Sequence, residues 1–164
     1  MEESSDITTF AYLVREFCNW AEGQPRSEEE EVHIAIKLVA SLYSGALSLP
    51  NNDPGEDIEE ERVSDDQWKV IYRRFGALPF NYYFEFFSPA KLDDNEQVTG
   101  DLADDLADIY RDLKAGLSLY DLGHRQEAAW EWKSSFHIHW GRHASSALNA
   151  LHCYAEDEGL WDTL

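Results

Sequence analysis

The sequence is poor in cysteine, in basic residues and in long apolar runs, and each shortage excludes a class of protein. Two cysteines in 164 residues are too few for a framework of several disulfides, and no CxxC motif is present. Thirteen Lys and Arg stand against 33 Asp and Glu, and the resulting net charge of -20 repels nucleic acid phosphates and anionic lipids. No run of about 18 apolar residues occurs. We therefore expect neither nucleic acid nor a membrane as a partner.

The N-terminal segment MEESSDITTF has no basic stretch followed by an apolar one, so it does not resemble a secretory signal. Cys18 and Cys153 lie in separate apolar contexts, and we expect both to be reduced, buried thiols. A disulfide between them is the alternative if the first and last helices touch there. These features favour a cytoplasmic protein.

The chain is nevertheless rich in the residues that build a core. Its hydrophobic fraction is 43% and its aromatic fraction is 13%, which is too high for a disordered chain. A length of 164 residues is that of one domain. We expect a single folded domain over residues 1–164.

Apolar residues at three- and four-residue spacing predict an all-α, single-domain bundle of about five main helices. The predicted helices cover residues 7–22, 28–49, 65–75, 99–122 and 125–157, the last with a bend at Gly141. Capping boxes, in which two side chains satisfy free amides at a helix start, are predicted at Ser27 with Glu30 and at Ser64 with Gln67.

Two segments lack such a pattern. Residues 51–63 hold many acids and few apolar residues, so we expect a mobile acidic surface loop. The aromatic stretch LPFNYYFEFFS, residues 78–88, has neither a helical nor an alternating period. It is expected to close one end of the bundle, and lining a ligand pocket is the alternative.

The last two predicted helices fold back on each other about Gly123 and form a central antiparallel hairpin. Residues equidistant from the turn then meet, which puts Asp108 opposite His139, and Asp104 opposite Arg142 and His143. His139 and His143 are one helical turn apart and share a face. The predicted polar cluster comprises Asp104, Asp105, Asp108, Arg111, His139, Arg142 and His143.

This cluster has two interpretations. As a structural network it needs no metal and no cofactor, because the guanidinium of Arg142 supplies the positive charge that the aspartates require. As a metal site it would use Asp104, Asp108, His139 and His143, since imidazole and carboxylate are a usual ligand set for zinc. We expect the structural network.

The sequence leaves the function open, and its features favour a non-enzymatic binding or regulatory module. The acidic surface either engages a basic protein partner, such as a toxin-like protein, or only maintains solubility. The alternative is a metal-dependent, hydrolase-like enzyme that uses the cluster. The sequence has no GxSxG motif and no glycine-rich phosphate loop.

Four stretches carry a resemblance to a known family. They are FCNW at residues 17–20, LYSGALSLP at 42–50, DDLADIYRDLKAGL at 104–117 and WEWKSSFHIHWGRHASSAL at 130–148. The chain resembles the uncharacterised bacterial family called domain of unknown function 5063. The resemblance implies a helical single domain and brings no activity, substrate or cofactor.

Overall fold

A computed structural model describes residues 5–163 and contains six α-helices and one β-hairpin in that range. The helices are α1 (Ser5–Glu22), α2 (Glu28–Ser48), α3 (Asp65–Arg74), α4 (Leu102–Asp121), α5 (Arg125–Ser135) and α6 (Gly141–Asp157). The strands are β1 (Tyr82–Phe86) and β2 (Gln97–Asp101). Short 3₁₀ segments cover Phe75–Ala77 and Leu160–Thr163, and a π-turn covers Phe136–Trp140. The predicted helical bundle is confirmed, with a small sheet added to it.

The central element is α4, which packs against α1, α3, α5 and α6. More than half of its residues are buried, including Leu106, Ile109 and Leu113. The helix α2 packs against α1 and α6 and covers another side of the core. The α4 and α5 hairpin is therefore the centre of the bundle, as the sequence predicts.

Both predicted capping boxes are present. The Ser27 and Glu30 pair starts α2, and the Ser64 and Gln67 pair starts α3, each with reciprocal side-chain bonds to the backbone. Each pair satisfies amides that the first helical turn leaves without a partner.

The start predicted for the fourth helix is wrong by a few residues. The sequence predicts a start near Thr99 or Gly100, whereas α4 begins at Leu102 because Gln97–Asp101 pairs with β1 as a strand. Asp101 is the N-cap, and its Oδ1 accepts a hydrogen bond from the amide of Asp104 at 3.0 Å.

The β-hairpin brings the aromatic stretch onto the side of the bundle. Its strands are antiparallel, with Tyr83 opposite Gly100 and Phe84 opposite Thr99. Successive side chains of a strand point to opposite faces. The exposed positions are Tyr82, Phe84 and Phe86, whereas Tyr83 is partly buried against the core.

The predicted last helix is divided by the π-turn. At the predicted bend, the Gly141 amide bonds to the carbonyl of Phe136, five residues earlier. The buried Trp140 donates its indole N–H to the carbonyl of Trp132 at 3.1 Å. These hydrogen bonds stabilise the π-turn within the helix.

Residues 51–63 form no helix or strand. Ile58 packs partly buried against the core, and the amide of Glu56 bonds to Glu127 Oε1 at 3.2 Å. The mobility of this loop stays a prediction.

The two cysteines differ in burial. Cys18 is buried and Cys153 is exposed, which corrects the expectation that both thiols are buried. Within residues 5–163, no helix combines the length and the apolar character that crossing a bilayer requires.

The π-turn yields a stability prediction at Gly141, where an added Cβ would lie 2.4 Å from the carbonyl oxygen of Phe136. The backbone must shift to relieve that contact, so Gly141→Ala is expected to lower the free energy of unfolding by about 1–3 kcal/mol. Urea unfolding measures the change. Gly76→Ala is the control, because no atom lies within 4 Å of its added Cβ, and its effect should stay within about 0.5 kcal/mol. Equal effects of the two substitutions would contradict the prediction.

Candidate functional site

Two histidines project from the divided C-terminal helix toward α4. His139 lies in the π-turn and His143 in the first turn of α6, and their ring centroids are 4.8 Å apart. Both side chains are partly buried. A π-turn places residues around a wider turn than an α-helix does, and such turns are frequent at functional sites.

Each imidazole is held by its own carboxylate through Nδ1. His139 Nδ1 lies 2.7 Å from Asp112 Oδ2, and His143 Nδ1 lies 2.7 Å from Asp105 Oδ1. An ionised carboxylate can only accept hydrogen bonds, so Nδ1–H is the donor in both pairs. The Nε2 atom of each ring consequently points away from that carboxylate.

Both Nε2 atoms face the same oxygen. Asp108 Oδ2 lies 3.6 Å from His139 Nε2 and 3.5 Å from His143 Nε2. The other oxygen of Asp108 accepts a hydrogen bond from the indole of Trp68 at 2.7 Å. Asp108 is thereby fixed with one oxygen directed at the histidine pair.

Asp105 connects this cluster to the β-hairpin. Its Oδ2 accepts a hydrogen bond from the hydroxyl of Tyr83, while its Oδ1 bonds to His143. Gly100 on β2 leaves room for the Tyr83 ring, because an added Cβ there would lie 2.2 Å from Tyr83 Cζ. The inner face of the hairpin is thus anchored to α4.

Burial and charge shift the ionisation of these groups. Burial raises the pKa of the Asp105 and Asp112 carboxyls, and their hydrogen bonds to the histidines offset the rise only in part. Burial and the neighbouring Asp108 raise the pKa of Asp104. The hydrogen bond to Asp105 raises the pKa of His143 above its ordinary value of 6.5, against the opposing effect of burial. A positive charge among these carboxylates, such as that of a protonated His143, is therefore stabilised by them.

The two arginines of the predicted cluster lie outside it. The guanidinium of Arg142 stacks 4.5 Å from the centroid of the Phe87 ring and donates to the Phe87 carbonyl at 2.5 Å. Arg111 stacks over Trp68 at 5.3 Å and pairs with Asp65 at 3.4 Å. In residues 5–163, neither arginine forms an ion pair with an aspartate of the cluster.

Among residues 5–163, one group of potential metal-ligand atoms lies close together. An oxygen of Asp108 and one ring nitrogen each of His139 and His143 lie within 4.8 Å of one another. Asp104, which the sequence placed opposite His143 and among the alternative ligands, does not belong to this group. It interacts with Asp108 and His143 only through its charge.

The comparisons with known proteins concern the fold and the family. The model of the family described as "Domain of unknown function (DUF5063)" matches residues 2–156. The chain belongs to this family.

The fold of this family member is similar to that of a solved protein. It matches the crystal structure of protein BF1032 from Bacteroides fragilis with a TM-score of 0.75 and 22% sequence identity. The match covers 91% of this chain and 91% of the BF1032 chain. At this identity the likeness concerns the fold alone. No curated protein matches the chain, and the names of the family and of the solved structure assign no activity.

Three residues of the site were not predicted as members. Asp112 had a usable signal, because Asp105, Asp108 and Asp112 repeat at the three- and four-residue spacing of one helical face. Trp68 and Tyr83 reach the cluster from α3 and β1. No local pattern in the sequence marks these two contacts.

The raised pKa of His143 predicts how stability depends on pH. A group whose pKa is higher in the folded state stabilises fully below its unfolded pKa of ~6.5, and this contribution is lost as pH rises through the folded pKa. Urea unfolding in the presence of a chelator should show falling stability above about pH 6.5. The raised pKa values of Asp104, Asp105 and Asp112 act in the same direction at lower pH.

The His143→Asn variant should lose this part of the pH dependence. His152→Asn should retain it, because His152 is exposed and contacts Trp161 rather than the cluster. An unchanged slope in His143→Asn, or a stability that rises over this range in the wild type, would refute the assignment.

Proposed function

We propose that this family member is a non-enzymatic binding module that holds a basic protein segment on the outer face of its β-hairpin. The observation that carries the proposal is the exposure of alternate aromatic residues on β1. Tyr82, Phe84 and Phe86 are 69%, 73% and 48% exposed. Large aromatic side chains on a surface are the residue type that most often dominates the energy of protein interfaces.

The rigidity of the hairpin supports this role. Tyr83 anchors its inner face to Asp105, and Arg142 holds Phe87 through its ring and its carbonyl. The aromatic face is thus fixed before a partner arrives. Less backbone freedom is lost on binding to such a surface, and more of the contact energy appears as affinity.

The charge of the hairpin supports a basic partner. Residues 82–101 contain five acids and one lysine, and the whole chain has a net charge of -20. An arginine-rich extended segment suits this surface, because guanidinium groups both stack on aromatic rings and pair with carboxylates. The same charge opposes nucleic acid.

We also propose a cytoplasmic location for the chain. Both cysteines are free thiols, and Cys153 is exposed to solvent. An exposed free thiol persists in a reducing compartment and is prone to oxidation outside one.

The partner proposal predicts a site-specific crosslink. A photoreactive phenylalanine analogue at position 84 should crosslink, in the native host, to a protein segment rich in Lys and Arg. The same analogue at position 12 is the control, because Tyr12 is also 62% exposed but lies on α1. Crosslinks at both positions to the same proteins, or crosslinks from position 84 to acidic segments, would contradict the proposal.

The identified partner then permits a quantitative test. Phe84→Ser should weaken its binding by about 30-fold, which corresponds to a typical interface hot spot of about 2 kcal/mol. Tyr12→Ser should leave affinity unchanged, and added salt should weaken binding to the wild type. Turnover in a hydrolase screen that is lost in His139→Asn would instead support the enzyme alternative.

A further inference from the structure

We propose that Asp108, His139 and His143 bind one divalent transition-metal ion through Asp108 Oδ2 and the two Nε2 atoms. The inference is independent of any partner on the hairpin. It rests on the convergence of three ligand atoms from α4, the π-turn and α6.

The separations of these atoms suit a small ion. Ligands at 2.0–2.2 Å from a tetrahedral zinc ion are about 3.4 Å apart. Asp108 Oδ2 already lies 3.6 Å and 3.5 Å from the two nitrogens. An oxygen of Asp108 and one ring nitrogen of each histidine lie within 4.8 Å of one another, so a movement of about 1 Å at the ends of the imidazoles completes the arrangement.

The partners behind each ligand are those that a metal site requires. A metal-bound histidine usually donates its second N–H to a carboxylate, which fixes the tautomer and directs the other nitrogen at the ion. Asp112 serves His139 in this way, and Asp105 serves His143. Trp68 holds the remaining oxygen of Asp108. All three ligands are therefore oriented before an ion binds.

The charge balance favours the ion as well. Four carboxylates of α4 lie next to the two imidazoles: Asp104, Asp105, Asp108 and Asp112. The expectation of a metal-free network depended on Arg142, whose guanidinium lies on Phe87 instead. In its place a divalent cation supplies the positive charge.

The ligand types select the class of metal. Two imidazoles and one carboxylate suit zinc, cobalt, nickel or iron, whereas calcium and magnesium prefer oxygen ligands alone. Three protein ligands leave a coordination position open for water or for a group from another molecule. The side chain of His139 is 42% exposed, which gives the ion access from solvent.

The test is titration of the chelator-treated full chain with Zn²⁺ by calorimetry and with Co²⁺ by visible absorption. One ion per chain should bind. Asp108→Asn, His139→Asn and His143→Asn should each weaken the affinity by more than about 100-fold, since each removes a direct ligand. Asp112→Asn should weaken it by about 10-fold, because it removes only the charge behind His139.

The controls are His137→Asn and Cys153→Ser, which should bind Zn²⁺ as the wild type does. His137 is an exposed histidine of the same π-turn, and Cys153 is an exposed thiol that could bind zinc by itself. Circular dichroism in chelator checks that every variant is folded. The proposal is overturned if the wild type binds no more tightly than the His139→Asn and His143→Asn double variant, or if the control variants lose the site instead.

Discussion

The carboxylate of Asp105 is the constraint on which the functional part of this molecule depends. It is buried in α4 and receives hydrogen bonds from Tyr83 of the hairpin and from His143 of α6. Burying a carboxylate without donors would be strongly unfavourable, so these two bonds are what make its position tolerable. One side chain thereby fixes the hairpin and an imidazole relative to the central helix.

The rest of the site follows from helix geometry around that point. Asp105, Asp108 and Asp112 share one face of α4, and His139 and His143 share one face of the helix that packs against it. Asp105 and Asp112 accept hydrogen bonds from the Nδ1 atoms, and the two Nε2 atoms face Asp108, which lies between them on the helix. The same anchoring leaves the aromatic face of β1 directed toward solvent. The orientation of the histidine pair and the exposure of the aromatic surface thus both depend on how the aspartates of α4 are placed.

The helices were predictable because their signals are local, whereas the hairpin was not. Apolar spacing and the Ser27 and Ser64 capping boxes depend only on neighbouring residues. On β1 the usual alternation is reversed, since Phe84 faces solvent and Glu85 is partly buried, so the stretch has no recognisable strand pattern. Glu31 shows the same limit, because it stands in a run of four glutamates and is nevertheless buried. Arg74 pairs with it from 43 residues away, and no local pattern marks that contact.

The tautomers of His139 and His143 test this account most directly. Long-range ¹H–¹⁵N spectra of the metal-free protein at about pH 9, well above the ordinary histidine pKa, distinguish a proton on Nδ1 from one on Nε2. The account predicts that both histidines hold their proton on Nδ1, because Asp112 and Asp105 accept it there. A proton on Nε2 of either ring, or a mixture of tautomers, would contradict it.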